Sequence, residues 1–274
     1  LAVEVNYFNP LFLSPTKHKY HIQDYDHIDP HYGKIVVDEG ELLQSGTTDN
    51  SKATRYVNRV TNRENLEASN AFFAELVREI HARGMKVILD GVFNHCGSFN
   101  KWLDREKIYH ANGGYEDGAF LSKERRSLSF FGFRDENGWP DNTCYEGWWD
   151  YDTLPKLNYE GSEELYDYIL GIAAKWVSAP YHVDGWRLDV AADLGHSSEF
   201  NHKFWRDFRK AVKTANPEAL ILAEHYGNPK DWLEKGDQWD TVMNYDAFME
   251  PLTWFLTGME KNSDEYIPEK KGKV

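Results

Sequence analysis

Cysteine is scarce in this chain: Cys96 and Cys144 are the two in 274 residues. That excludes a disulfide scaffold as the main source of stability and makes free thiols the expectation. Long apolar runs are absent too. No stretch approaches the roughly 18 apolar residues of a membrane-spanning helix, and no basic stretch with a small-residue cleavage site opens the chain. Positive charge is in deficit, with 31 Lys and Arg against 45 Asp and Glu and a formal net charge of -14. Such a surface repels phosphate backbones and anionic headgroups, so nucleic acid and membranes are poor partners and a neutral ligand fits better. Repeats and low-complexity tracts are missing, and only Glu269 to Val274 reads as a polar tail. The chain opens with Leu1 inside a strand-like run, so a preceding segment is expected; compartment and oligomeric state stay open.

What is present is an ordinary globular composition, 41% hydrophobic and 15% aromatic with ten Trp, enough for one large domain or one domain with an insertion. Short apolar runs alternate with longer segments of helical period, as expected of a parallel α/β sheet. Five strands are predicted: Val3 to Phe8, Met85 to Leu89, His182 to Val190, Leu220 to Ala223 and Thr241 to Tyr245. Helices between them carry Leu66, Phe72, Phe73, Leu76, Val77 and Ile80 before a Gly84 C-cap, Leu165 to Val177 after a Ser162 N-cap, and Phe204 to Val212 before Pro217. Asn228-Pro229 opens a short helix, and Glu250-Pro251 a last one. Between Cys96 and Asp152 the periodicity dissolves into a Gly-, Asn- and aromatic-rich stretch too long for a simple loop. The expected organisation is a partial TIM (β/α)8 barrel of about five of eight strands, with barrel residues 1–95 and 153–274 and an inserted subdomain at 96–152.

Three strands end in ionisable residues: Asp90 with Asn94 and His95, Arg187 with Asp189, and Glu224. A carboxylate after an apolar strand is also explained by a buried ion pair or a helix cap. Three in succession, in a barrel whose C-terminal strand ends converge on one mouth, point instead to chemistry. Arg187 and Asp189 share a strand face, and the arginine is expected to keep the acid ionised. Two facing carboxylates suit glycoside hydrolysis, with Asp189 as nucleophile and Glu224 as general acid.

These residues resemble the α-amylase family of glycoside hydrolases. Asp90-Gly-Val-Phe-Asn94-His95, Gly185-Trp-Arg187-Leu-Asp189 and Glu224 after Leu-Ile-Leu-Ala are similar to three of its signature blocks. Asn9-Pro10, His18-Lys19-Tyr20 with Asp24-Tyr25, and Leu154-Pro155-Lys156-Leu157-Asn158 add to the likeness. The last block resembles that of neopullulanases, cyclomaltodextrinases and maltogenic amylases, with related amylopullulanases. The resemblance implies a retaining α-glucan hydrolase with Asp189 as nucleophile and Glu224 as acid/base, protonated near neutrality. It further implies Arg187, His95, Tyr20 and Asp90 as substrate-binding or scaffold residues, with Tyr20 stacked on the sugar. No cofactor is required; Asn94, with oxygens from the insert, is a candidate Ca²⁺ ligand. The family's fourth block, with His-Asp on a later strand, is missing, and Asp237, Asp240, Asp246, Glu250 and Asp264 lack its context. A fragment of a longer enzyme is therefore expected. A glucanotransferase and a noncatalytic α-glucan-binding fragment are the alternatives. Other signals stay two-sided: Trp148 and Trp149 beside Glu146 form either a sugar subsite or the insert's core. His18, His21, His27 and His31 are scattered loop residues rather than a regularly spaced metal site.

Overall fold

The computed structural model describes residues 3–112 and 114–259. Strand β1 (Val5–Phe8) leaves the sheet at Asn9-Pro10 for a small antiparallel pair, β2 (Phe12–Leu13) and β3 (Asp24–Ile28), too short to register in the apolar pattern. Helix α1 (Thr54–Thr61), likewise not expected, abuts α2 (Arg63–His81), whose first free N–H groups are taken by the Asn62 side chain. Leu66, Phe73, Val77 and Ile80 of α2 are buried as its period requires, whereas Phe72 is exposed. Gly84, at φ 74°, makes the left-handed turn into β4 (Lys86–Gly91). Helix α3 (Glu163–Val177) starts at Ser162, which caps Leu165, and leads to β5 (Gly185–Leu188). Helix α4 (Ser198–Ala215), β6 (Leu220–Ala223), α5 (Lys230–Leu233), β7 (Thr241–Val242) and α6 (Glu250–Thr257) follow.

The five longer-range strands pair in parallel in the order β1-β4-β5-β6-β7. With helices packed on one face, this is a partial (β/α)8 barrel. Three strands are shorter than the runs predicted for them: β1 begins at Val5 rather than Val3, and β5 and β7 are shortened as well. His182 and Val183 do not join β5, because His182 sits at φ 53° and the Val183 N–H bonds to Trp176 at the end of α3, whereas the Asp184 backbone already bonds to Val87 and Leu220. At the other margin, β6 offers β7 only Leu222 and Ala223 as partners, so the strand stops at Val242. No helix among the described residues is long and apolar enough to cross a membrane, and Cys96 and Cys144 are both free. The expected tail at 269–274 lies outside the described residues.

Alternation along each strand sorts the side chains. Val87 and Leu89 of β4, Trp186 and Leu188 of β5, and Ile221 and Ala223 of β6 face the helices and form one core with Trp176, Phe204 and Phe208. The Trp186 indole donates to the Ala173 carbonyl of α3, pinning strand to helix. Asp90, next after Leu89, and Arg187, between Trp186 and Leu188, are left to the inner face, where register sets them side by side. Within 96–152 the described residues form only 3-10 turns and bridges. Their aromatic rings join the barrel core: Trp102 lies 5.6 Å from Tyr25 and 5.1 Å from Tyr168, centroid to centroid.

Candidate active site

Because successive strands are in register, β4, β5 and β6 deliver Asp90, Arg187 and Glu224 to one end of the sheet. The Asp189 N–H bonds to the Gly91 carbonyl, and the Glu224 N–H to that of Leu188. Asp189 and Glu224 thus leave adjacent strands at matched heights. Between them lies Arg187, whose Nη1 donates to Asp189 Oδ1 at 2.9 Å and to Asp90 Oδ2 at 3.0 Å, while Nη2 meets Glu224 Oε2 at 2.8 Å. Asp189 and Glu224 are thus gripped by the two ends of one guanidinium. Val190 contributes as well. A β-branched residue rarely enters the left-handed region, yet Val190 does so at φ 38°, and its N–H donates to Glu224 Oε2 at 3.1 Å.

The electrostatics depart from the simple expectation that Arg187 keeps Asp189 ionised. One cation is divided among three carboxylates. Burial, then Asp90, and also Glu224 push the Asp189 carboxyl up to about 8, and Arg187 only partly opposes them. Asp189 thus binds a proton more readily than an ordinary aspartate, because the carboxylates beside it disfavour a third negative charge.

Asp90 itself is fully buried and contributes no surface to the cleft. Tyr7 and Tyr20 both donate to its Oδ2, and Arg187 covers the remainder. Of the two roles implied for Asp90, sugar contact and scaffold, the geometry leaves the scaffold. Above this floor opens a cleft of about 920 Å³ lined by Arg187, Asp189 and Glu224 together with Tyr20, His95 and Trp148. The Tyr20 ring lies half-buried 6.0 Å from the guanidinium. His95 stacks on Trp148 at 4.9 Å with 4° between the planes, and Trp149 continues the stack at 4.7 Å, 73% exposed. Trp148 and Trp149 are therefore cleft residues rather than core of the insert.

Burial, with His21 and Lys156 nearby, depresses the His95 pKa to about 3, and burial with His18 depresses that of His21 to about 4. Both rings stay neutral when folded, while in the unfolded chain they take up protons below about 6.5. Stability contributed by this pair is thus present above pH 6.5 and lost as the pH falls toward 4. Urea melts should show a His95→Gln protein losing less stability than wild type between pH 6.5 and 4.5; equal losses would contradict the buried neutral ring.

Several residues escaped the reading of the sequence. Tyr7 is visible only through the register that places β1 beside β4. Tyr245 and Tyr226, stacked at 4.2 Å, aim their hydroxyls at Glu224 Oε1 from 3.3 and 3.5 Å; nothing local in the sequence marks Tyr245. Among the unmatched acids, Asp240 is bound by Arg209 and Lys213 and accepts the Ile221 N–H near the start of β6, away from the cleft. Asp237, Asp246 and Glu250 do not line the cleft either, and Asp264 lies outside the described residues. The four loop histidines disperse: His27 pairs with Asp24, His31 with Asp29, and His18 and His21 face the cleft. Among the described residues no three His, Cys, Asp or Glu side chains converge as a metal site. Asn94, the candidate Ca²⁺ ligand, has its carboxamide oxygen occupied by the Lys156 ammonium at 2.8 Å.

The family description "Alpha amylase, catalytic domain" matches residues 68–264. Neopullulanase 2 of Thermoactinomyces vulgaris is 32% identical over 98% of this chain and 36% of its own length. A cyclomaltodextrinase of Thermoanaerobacter pseudethanolicus is 34% identical over 89% of the chain and 33% of its own. The type III pullulan hydrolase from Thermococcus kodakarensis superposes with a TM-score of 0.65 at 27% identity, covering 93% of this chain and 36% of that one. The chain thus spans about a third of the length of the curated relatives it matches.

Proposed function

Since the chain belongs to the α-amylase family, we propose that it is the catalytic segment of a retaining glycoside hydrolase acting on α-1,4, and also α-1,6, glucosidic bonds. Starch-like glucans, pullulan and cyclodextrins are the proposed substrates. The observation that carries this reading is the sharing of Arg187 between Asp189 and Glu224 at the mouth of a cleft walled by aromatic rings. Asp189 attacks the anomeric carbon as Glu224 delivers a proton to the departing glycosidic oxygen, giving a glycosyl ester on Asp189. Glu224 then takes a proton from water, which displaces the sugar with overall retention. Tyr20 supplies a flat face for the sugar ring and His95 a hydrogen bond, and the 96–152 insert shapes the cleft through Trp148 and Trp149. Arg187, itself bonded to buried Asp90, anchors one oxygen of the nucleophile's carboxylate at the floor of the cleft. No organic cofactor enters this chemistry.

The test is proton NMR of the first products released from a maltooligosaccharide or a cyclodextrin by the protein carrying this chain. Retention predicts the α-anomer before mutarotation. First release of the β-anomer would refute the double displacement. Longer oligosaccharides among the products would identify a transferase, and binding without product a noncatalytic glucan-binding protein.

A further inference from the structure

The lysine of the Leu154 to Asn158 block has no part in the chemistry above, yet it is 9% exposed and sits beside the cleft. Lys156 Nζ donates to Asn94 Oδ1 at 2.8 Å and to the Asp193 carbonyl at 2.7 Å. The two oxygens belong to the segments that follow β4 and β5, and a side-chain amide and a backbone carbonyl are the neutral oxygens that a hard cation collects. A Ca²⁺ at Asn94 does not fit this arrangement, since it would lie against a buried ammonium and compete for the same oxygens. Burial lowers the lysine's pKa, and the carboxylates of Glu146, Asp193 and Glu160 work against that.

We infer that Lys156 is a resident cation that takes the place of a metal ion at Asn94 and positions one wall of the cleft. The connections run outward from its ammonium. Asp193, held by its carbonyl, receives the Trp148 indole N–H on Oδ2 at 2.9 Å, and Trp148 stacks on His95. Asn94, held by its amide oxygen, turns Nδ2 toward His95 Nδ1 at 3.3 Å. His95 is thus fixed from both sides by groups that Lys156 secures. A covalently attached cation costs no binding equilibrium, so the wall stands at any Ca²⁺ concentration.

The inference is independent of the reaction proposed and is read by metal binding and unfolding rather than turnover. Wild-type protein dialysed against chelator should retain no Ca²⁺ by atomic emission, and its unfolding temperature should be the same in chelator and in millimolar CaCl₂. Tb³⁺ should give no indole-sensitised emission at this site. Lys156→Asp places a carboxylate between the same two oxygens. That protein should gain Tb³⁺ emission sensitised through Trp148 and be stabilised by millimolar Ca²⁺ by several degrees. Lys156→Met removes the charge without supplying a ligand, so its unfolding temperature should fall and not recover in Ca²⁺. A wild-type protein that retains Ca²⁺ or melts earlier in chelator overturns the inference. So does a Lys156→Asp protein blind to both ions, or a Lys156→Met protein as stable as wild type.

Discussion

Asp189→Asn protein is expected to lose about four orders of magnitude in turnover while unfolding at a higher temperature than wild type. The loss follows because an amide cannot form the glycosyl ester. The gain follows from the neighbourhood: Arg187 is already shared with Asp90 and Glu224, so the third carboxylate adds more repulsion and desolvation than attraction. The gain should also depend on pH in a definite direction. With its folded pKa raised to about 8 against an ordinary value of 3.8, Asp189 binds its proton more tightly in the folded chain. It is neutral in both states below about pH 4, so there the variant and wild type differ little. As the pH rises toward 8 the unfolded acid ionises and the folded one resists, wild type loses stability, and the advantage of Asn grows to roughly 1 to 2 kcal/mol or more. Thermal melts of both proteins at pH 4, 6 and 8 measure this directly. A variant less stable than wild type at pH 8 would mean that Asp189 serves the fold rather than the reaction.

Arg187→Met should be the most destabilising single change in the cleft, by about 3 to 5 kcal/mol. Asp90 and Asp189 are buried, and Glu224 meets the same guanidinium, so removing it leaves three carboxylates facing one another with no cation among them. Two tyrosine hydroxyls still reach Asp90, but a neutral donor does not offset that repulsion. Denaturant melts at pH 7 give the loss. Part of it should return at pH 5, where protons can substitute for the missing charge. If Arg187→Met and wild type were equally stable at pH 7, the guanidinium could not be the hub of the cluster.

The scaffold was legible where burial imposes a period. Ser162 was correctly read as a helix cap, since it answers a local backbone need, whereas the C-cap expected at Gly84 falls at Ala82 and Gly84 makes the left-handed turn two residues later. The five parallel strands were equally visible, because their alternate residues must meet helices. Strand ends were less so: Val183 reads as the start of a strand, yet its N–H bonds back to Trp176 of α3, and backbone pairing with the neighbouring strands begins at Asp184. Phe72 falls on the helical period but at its margin, where the core no longer covers it. In the site, Asp189, Glu224 and Arg187 stood out because ionisable residues at the ends of apolar strands need partners. Tyr7, Tyr226 and Tyr245 did not, and Lys156 was visible only as part of its block, because an aromatic ring or a lysine carries no local sign of which distant carboxylate or carbonyl it will meet.

By itself, the sequence determined that a parallel α/β sheet would form and that its strand ends would carry three acids and an arginine, since composition and period are local quantities. The division of labour among those charges belonged to the tertiary structure. Only strand register puts Asp90 level with Arg187 and buries it under Tyr7 and Tyr20, which leaves the scaffold role of the two implied for it. Only the return of the 154–158 segment to the ends of β4 and β5 brings the Lys156 ammonium to Asn94. Electrostatic energies fall off with distance through space, and the distances here are fixed by pairing between strands up to about a hundred residues apart in the chain.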